Sequence, residues 1–403
     1  MIILHKKMKI LYITSATSML GGGSKAFLNM LYGVMRYGIE PIVIFPDTGE
    51  MYHHLKQQNI PVYACFYREG VYPPFDKYWK NKILFIPRLV GRVLANTIGT
   101  IQLYRICKKN KPDILHTNVS VTNIGYQVSR LLHLPHIWHI REYGALDFNF
   151  HYYYCRKQQL RKYKRKNSYS ICITKDIQQY NHLAEGFQSH VIYDGVLPES
   201  NICYLPNKQL YFLFAGRIEK AKGVISLLEA YAQYAQQCNS PLPLYIAGRI
   251  KNDAYQQQCK HIITRYNIED KVVFLGERDD ILNFYREAQA LIVPSLSEGF
   301  GFITAEAMFS GCLVIGHDVA GTKEQFDNGK QLTGEDIGLR YTTQEQLVQY
   351  LLYITNRVHN DTFTQTYEPI IIRAQKVVKQ LYTTEKNAEQ VYQFYKKICS
   401  NDF

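Results

Sequence analysis

The chain has no C-x-x-C pair anywhere. Its nine cysteines (65, 107, 155, 172, 203, 238, 259, 312 and 399) never come closer than 17 positions, so redox-dithiol and zinc-ribbon chemistry lack their local pair and reduced thiols are expected. There is no D-x-D pair, and with it goes the usual carboxylate couple for Mg²⁺ or Mn²⁺. Neither the G-x-G-x-x-G fingerprint nor a Walker A loop occurs. No apolar run of about 20 residues is unbroken. The best stretch, "ILFIPRLVGRVLANTIGTIQLY" at residues 83–104, is interrupted by Pro87, Arg88 and Arg92, which excludes a span and leaves an amphipathic surface segment. The opening "MIILHKKMKILYITS" carries lysines inside its apolar stretch, unlike a secretory signal, so a cytoplasmic protein is expected. Met8 starts a natural strand, and the first seven residues read as an extension that packs nowhere.

What is present is a globular composition, 46% hydrophobic and 20% charged, with no low-complexity tract or tandem repeat. At 403 residues, two domains are expected. Charge divides between them. Residues 1–195 hold 26 lysines and arginines against 11 acids; of the totals of 47 and 34, this leaves 21 against 23 for the remainder. "CRKQQLRKYKRKNSYS" alone has seven basic residues and no acid, so residues 156–166 are expected to meet an anionic partner, either membrane headgroups or a phosphorylated substrate. A solvated helix face is the plain alternative.

Apolar runs too continuous for one-sided strands alternate with helical stretches: "KILYITS", "PIVIFP", "IPVYACF", "DILHT", "PHIWHI", "SYSICIT", "HVIYDG". After an interruption near residues 194–208 the series restarts with "LYFLFAGR", "LPLYIAGR", "KVVFLGE", "ALIVPS" and "CLVIGH". The pattern predicts an α/β protein of two doubly wound, Rossmann-like domains with a cleft between them, at 1–195 and 196–382. A final helix over 383–403 has no assigned packing partner.

Ligands of open parallel sheets sit beyond the carboxyl ends of the strands. Four such places carry chemistry. "GRIEKAKG" sets Arg217 and Lys222 around a turn and helix start, where two cations and free N–H groups suit a diphosphate; two ordinary surface cations are the bland reading. "GGGSKAFLNML" places Gly21, Gly22 and Gly23 before a helix expected to begin near Ser24, where backbone amides can approach a phosphate or sugar. "SEGFGFITAEAM" puts Glu298 at a strand end and Glu306 about one turn into the next helix, and carboxylates bind neighbouring sugar hydroxyls well. A glycosidase pair across a glycosidic bond would use the same two groups, but it leaves Arg217 and Lys222 without a diphosphate to hold. "DILHTN" and "PHIWHIRE" bring His116, His139, Arg141 and Glu142 to strand ends. His136 and His139 lie an odd number apart in one strand and face opposite sides, which argues against a metal cluster with His133.

Taken together, "GRIEKAKG" and "SEGFGFITAEAM" resemble the paired signature of the retaining glycosyltransferases of family 4, which have the GT-B fold. The likeness is densest over residues 211–324 and extends to the glycine-rich first loop, "DILHTN", "WHIRE", "VIYDGV", "YIAGR", "VVFLGE" and "DVAGTKE". The resemblance implies a metal-independent hexosyltransferase taking a UDP- or GDP-sugar. Arg217 and Lys222 would hold the donor diphosphate. Glu298 would contact the transferred sugar and Glu306 the ribose. The amides of Gly299, Phe300, Gly301 and Phe302 would line sugar and phosphate, with Gly216 and Gly248 at the neighbouring strand ends. Gly22 and Gly23 would close over the diphosphate, and His139 would sit beside the reacting centre and acceptor as a catalytic residue with Arg217, Lys222 and Glu298, while His116, Asn118 and Arg141 would join it on the acceptor side. Where the family commonly has Asn before the junction glycine, this chain has Asp194.

Beside this resemblance, the basic first domain, drawn to anionic lipids, points to a lipid-linked or polysaccharide precursor at the inner membrane face as the acceptor. Three other readings stay open: a GT-B epimerase, an inert sugar-nucleotide binder, and a nucleic-acid or acidic-polymer binder using the basic block with Tyr152, Tyr153, Tyr154, Tyr163 and Tyr169. No nucleic-acid partner is expected on the leading reading.

Overall fold

The computed structural model describes residues 7–72, 79–144, 151–153, 155–250 and 252–400. Most of the proposed N-terminal extension, residues 1–6, and Tyr154 therefore lie outside the described residues. Contacts divide the chain into two units, Met1–Gly195 with Thr384–Phe403, and Val196–Thr383.

The first unit runs β1 (Lys9–Ile13), α1 (Gly22–Met35), β2 (Glu40–Phe45), α2 (Glu50–Gln57), β3 (Val62–Ala64), β4 (Val71–Tyr72), α3 (Trp79–Ile83), α4 (Phe85–Asn110), β5 (Ile114–Thr117), α5 (Ile124–Leu132), β6 (His136–Ile140), β7 (His151–Tyr152), α6 (Arg156–Tyr163), β8 (Ser168–Cys172), α7 (Lys175–Tyr180) and β9 (Ser189–Val191). Seven strands form one parallel sheet in the order β3-β2-β1-β5-β6-β8-β9, while β4 and β7 pair separately as a short antiparallel ribbon. Alternate residues of each strand enter different cores, as a period of two demands of a sheet covered on both faces. Ile10, Tyr12, Val43 and Ile114 join one cluster with α1; Leu11, Ile13, Ile44 and Leu115 join another with α4 and α5.

The second unit runs β10 (Phe212–Ala215), α8 (Val224–Gln237), β11 (Leu244–Ala247), α9 (Asp253–Arg265), β12 (Val272–Gly276), α10 (Ile281–Glu287), β13 (Ala290–Val293), α11 (Phe302–Phe309), β14 (Leu313–His317), α12 (Ala320–Thr333), β15 (Leu339–Tyr341), α13 (Gln344–His359) and α14 (Phe363–Leu381). Its sheet is parallel throughout, in the order β12-β11-β10-β13-β14-β15. Renumbered from its own first strand this is 3-2-1-4-5-6, the doubly wound order whose ligand crevice opens where the winding reverses, here between β10 and β13. In the first unit the reversal lies between β1 and β5.

The last helix, α15 (Thr384–Ser400), returns to the first unit. It lays Ala388, Val391, Phe394, Tyr395 and Ile398 into the α1-side core, and so supplies the packing partner the sequence left blank. Closeness is set by Gly33 of α1, where a Cβ would stand 2.5 Å from that of Ala388.

Candidate functional site

In the second unit, the turns after β10 and β13 are locked together. Gly223 is left-handed (φ 69°), and a Cβ there would lie 2.0 Å from the Pro294 carbonyl; Leu296 N donates to Ala221 O across the same contact. Gly216 and Gly248 end their strands at φ 137° and 148°, and a Cβ on Gly248 would meet the Gly216 carbonyl at 1.7 Å. Glycine is required at both positions for backbone reasons.

This locking brings Lys222 to Glu298. The ammonium lies 2.7 Å from Glu298 Oε1, and the two side chains are 17% and 11% exposed. Ser295, two residues past β13, donates to the same oxygen at 2.8 Å and orients it. Arg217 stands in the same turn but is half-exposed and pairs with Glu219 at 3.1 Å. An exposed pair of this kind is worth at most about 1 kcal/mol, so it yields readily to a stronger anion.

Beyond Glu298 the chain turns at Gly301 (φ 89°), which caps α11. Gln325 of α12 donates to the carbonyls of Phe300 and Gly301 at 2.7 and 2.9 Å, and Gly321 N donates to Glu298 O at 3.0 Å. A loop braced this way fixes the start of α11, where the Thr304 and Ala305 amides donate back to Gly301 O and those of Phe302 and Ile303 precede the first helical bond. Glu306 is the fifth residue of α11 and is buried, and the Tyr285 hydroxyl donates to it at 3.3 Å. Burial beside that carboxylate pushes the Tyr285 phenol well above its usual range, so it remains a donor. Sequence reasoning missed Ser295, Tyr285 and Gln325. Of these, Ser295 alone carried a signal, its place just past the strand end.

In the first unit, the loop after β1 leads into α1, which starts at Gly22, two residues before the expected Ser24, because Gly21 at φ 98° supplies the turn. The four residues assigned to the acceptor side share one buried network. His116 Nε2 lies 3.1 Å from His139 Nδ1, and His116 Nδ1 lies 2.6 Å from the Tyr395 hydroxyl of α15. Arg141 donates to Asn118 Oδ1 at 3.2 Å, reaches His139 Nδ1 at 3.4 Å and forms a buried ion pair with Asp194. A guanidinium only donates. Its approach favours His139 Nδ1 as an acceptor with the proton on Nε2, an arrangement in which Tyr395 turns its proton from Tyr12 to His116. That Nε2 is buried and, among the described residues, has no hydrogen-bond partner. Glu142 instead accepts from Ser120 N and Oγ, and its role is to hold the chain after β6.

Burial, with the Arg141 charge as the second cause, holds His116 and His139 well below the usual imidazole range, and burial alone pushes His136 down to about 3. All three stay neutral while the unfolded chain takes up protons below about pH 6.5, so folding stability falls as pH falls through that value. From pH 6.5 to 5.5 the expected loss is about 3 kcal/mol. Both tryptophans, Trp79 and Trp138, lie in the first unit, so urea unfolding followed by their fluorescence reads it directly. An unchanged midpoint across that window would show protonation inside the fold.

The basic helix α6 turns Gln159 and Tyr163 inward, and Tyr169 is buried as well. These tyrosines do not form a stacking face. Among the described residues, no group of three or more His, Cys, Asp or Glu is placed to hold a metal ion, and no helix is long and apolar enough to cross a membrane.

Residues 200–354 match the family described as Glycosyl transferases group 1. The chain is similar to the UDP-Gal:alpha-D-GlcNAc-diphosphoundecaprenol alpha-1,3-galactosyltransferase of Escherichia coli, 26% identical over 358 residues that cover 80% of this chain and 84% of that protein. With the lipopolysaccharide core biosynthesis mannosyltransferase LpsB of Rhizobium meliloti it shares 27% identity over 121 residues, 30% of this chain and 34% of that protein. The chain thus spans about a third of the latter's length. Among solved structures, Anabaena Alr3699/HepE in complex with UDP superposes with a TM-score of 0.73 at 19% identity, over 96% of this chain and all of that one. The fold is GT-B, built of two Rossmann-like units.

Proposed function

We propose that the protein transfers a hexose from a UDP- or GDP-sugar to a hydroxyl of a lipid-linked or polysaccharide precursor, with retention at the anomeric carbon and without a metal ion. The observation that carries this reading is the Lys222–Glu298 pair at the winding reversal of the second unit, flanked by Arg217 and by the buried Glu306. Support comes from the UDP complex of the structural neighbour and from the sugar-transferase names of the relatives.

On this reading Lys222 and Arg217 hold the departing diphosphate, where negative charge grows as the C1–O bond breaks. The acceptor oxygen bonds to C1 on the same face, and the leaving phosphate oxygen takes the acceptor proton. Glu298 accepts from sugar hydroxyls and Glu306 from the ribose, while the amides of Gly299, Phe300, Gly301 and Phe302 line sugar and phosphate beside Gly216 and Gly248. His139, whose Nε2 carries the proton, donates to a hydroxyl and is not the base. His116, Asn118 and Arg141 fix its orientation. We place the enzyme at the inner face of the cytoplasmic membrane, with residues 156–166 attracted to anionic headgroups.

Thermal shift against UDP, GDP, ADP and their hexose conjugates, with chelator present, tests the donor site. Binding at one hundred times Kd adds about 2.7 kcal/mol of stability, so one nucleotide family should raise Tm clearly. No shift with any of them would overturn the proposal. In Glu306→Ala, loss of a charge-assisted hydrogen bond should weaken nucleotide binding about 10- to 100-fold. Unchanged affinity by calorimetry would remove the ribose role.

A further inference from the structure

From Trp79 to Pro112 the chain has eight lysines and arginines and no acid. Within this stretch α3 and α4 are nearly continuous, since Leu84 N donates to Lys80 O and Arg88 N to Leu84 O, both at 3.0 Å. Pro87 sits in the first turn of α4, where its missing N–H costs no helical bond. One face of α4 is committed to the protein. Ala95, Gly99, Leu103 and Cys107 repeat every fourth residue and are buried, and a Cβ on Gly99 would lie 2.7 Å from the Phe66 carbonyl. Arg92 also turns inward, donating to Glu69 O and to the Tyr153 hydroxyl.

The opposite face holds Ile86, Val90, Val93, Leu94, Ile98 and Ile101, all exposed, with Val93 at 48% and Ile86 at 61%. Their spacing of three, four and seven gathers them into one stripe. Trp79 and Ile83 extend the stripe at its start, at 68% and 62% exposure. From Ile83 to Ile101 it runs about 27 Å along the helix. A contiguous apolar surface of this kind on a soluble fold marks a contact. Basic residues stand at both ends: Lys80 and Lys82 within its first turns, and Arg105, Lys108, Lys109 and Lys111 after it.

We propose that α3 and α4 form the surface by which this protein lies on an anionic lipid bilayer, the apolar stripe entering the headgroup boundary and the flanking cations meeting lipid phosphates. Charge decides the occupant. An apolar partner protein would need no basic residue at either end, whereas an anionic bilayer supplies an apolar layer bordered by negative charge on every side. The basic helix α6, which has charge but no exposed apolar row, adds attraction without insertion. This inference rests on the membrane placement proposed above and names the segment that makes the contact; its observations lie in the first unit and do not draw on the glycosyl-transfer chemistry.

The test is flotation of the full chain with vesicles of phosphatidylcholine, alone or mixed with phosphatidylglycerol. The wild type should float with the mixed vesicles and stay behind with the neutral ones. The triple variant Ile86→Ser, Val90→Ser, Leu94→Ser should lose more than about tenfold in binding, and Arg105→Glu with Lys108→Glu should lose a similar factor that added salt also removes from the wild type. Both variants alter exposed side chains, and unchanged circular dichroism and melting would verify their fold. Failure of the wild type to float, or equal flotation of the triple variant, would overturn the proposal. A dimer by light scattering that the triple variant dissociates would assign the face to a second copy and overturn it too. Nucleotide-induced melting shifts read glycosyl transfer separately, and flotation that the triple variant keeps would leave the membrane placement standing while overturning this face alone.

Discussion

Lys222→Ala should lower kcat/KM by about 10²- to 10³-fold, the usual loss when one positioned donor is removed from a developing oxyanion. Release of nucleoside diphosphate from the sugar nucleotide that most raises Tm measures it. The fold should survive. Lys222 lies on a turn anchored by the Gly223–Pro294 contact, which is made by backbone, and Glu298 keeps its bond from Ser295 when the ammonium is gone. A melting temperature close to wild type with a collapsed rate would place the loss in the departure of the diphosphate. Lys222→Arg should restore part of the rate, since charge returns but the 2.7 Å contact with Glu298 must be rebuilt by a larger, planar group. Full turnover by Lys222→Ala would remove the diphosphate role from this residue.

Arg141→Ala should cost about 3 to 5 kcal/mol of stability, because it strands the carboxylate of Asp194 in the interior of the first unit. Burial already pushes Asp194 above its ordinary range, and Arg141 is what pulls it back. Without the guanidinium the folded-state pKa rises further above the unfolded value. A raised carboxyl contributes its full stability below the unfolded pKa and loses it as pH rises, so the deficit of the variant against wild type should shrink on acidification. Adding Asp194→Asn should recover much of the loss at neutral pH, and the double-mutant cycle should show strong coupling. Equal stability of Arg141→Ala and wild type in fluorescence-monitored urea unfolding would show the pair to be dispensable.

The junction "YDGV" displayed Asp194, and "WHIRE" displayed Arg141, but no feature of either stretch announced that the two would pair 53 positions apart. The same holds for the candidate donor site. Its parts were legible because strand-end glycines and charged residues stand out against apolar runs such as "FLFA" and "ALIV". The supports were not, since Tyr285 and Gln325 are ordinary helix residues until the fold brings them to Glu306 and to the loop before α11. Strands buried on both faces read easily from continuous apolar composition. The edge strand β15, "LRY", and the β4–β7 ribbon are too short and mixed to show a period. The apolar row of α4 was visible as an interrupted hydrophobic stretch, but only helical geometry separates its inward Ala95, Gly99 and Leu103 from the outward row.

The return of α15 to the first unit bears on how the polypeptide is made. Tyr395 touches Tyr12 across a separation of 383 residues, and the apolar side of α1 remains uncovered until that helix leaves the ribosome. A contact of such long range forms late, after the second unit has been synthesised and has had time to fold. At usual elongation rates, about 5 to 20 residues per second, the nascent first unit waits some ten seconds or more with part of its core open. During that interval the α1 face is exposed apolar surface, and completion of this core is gated by translation.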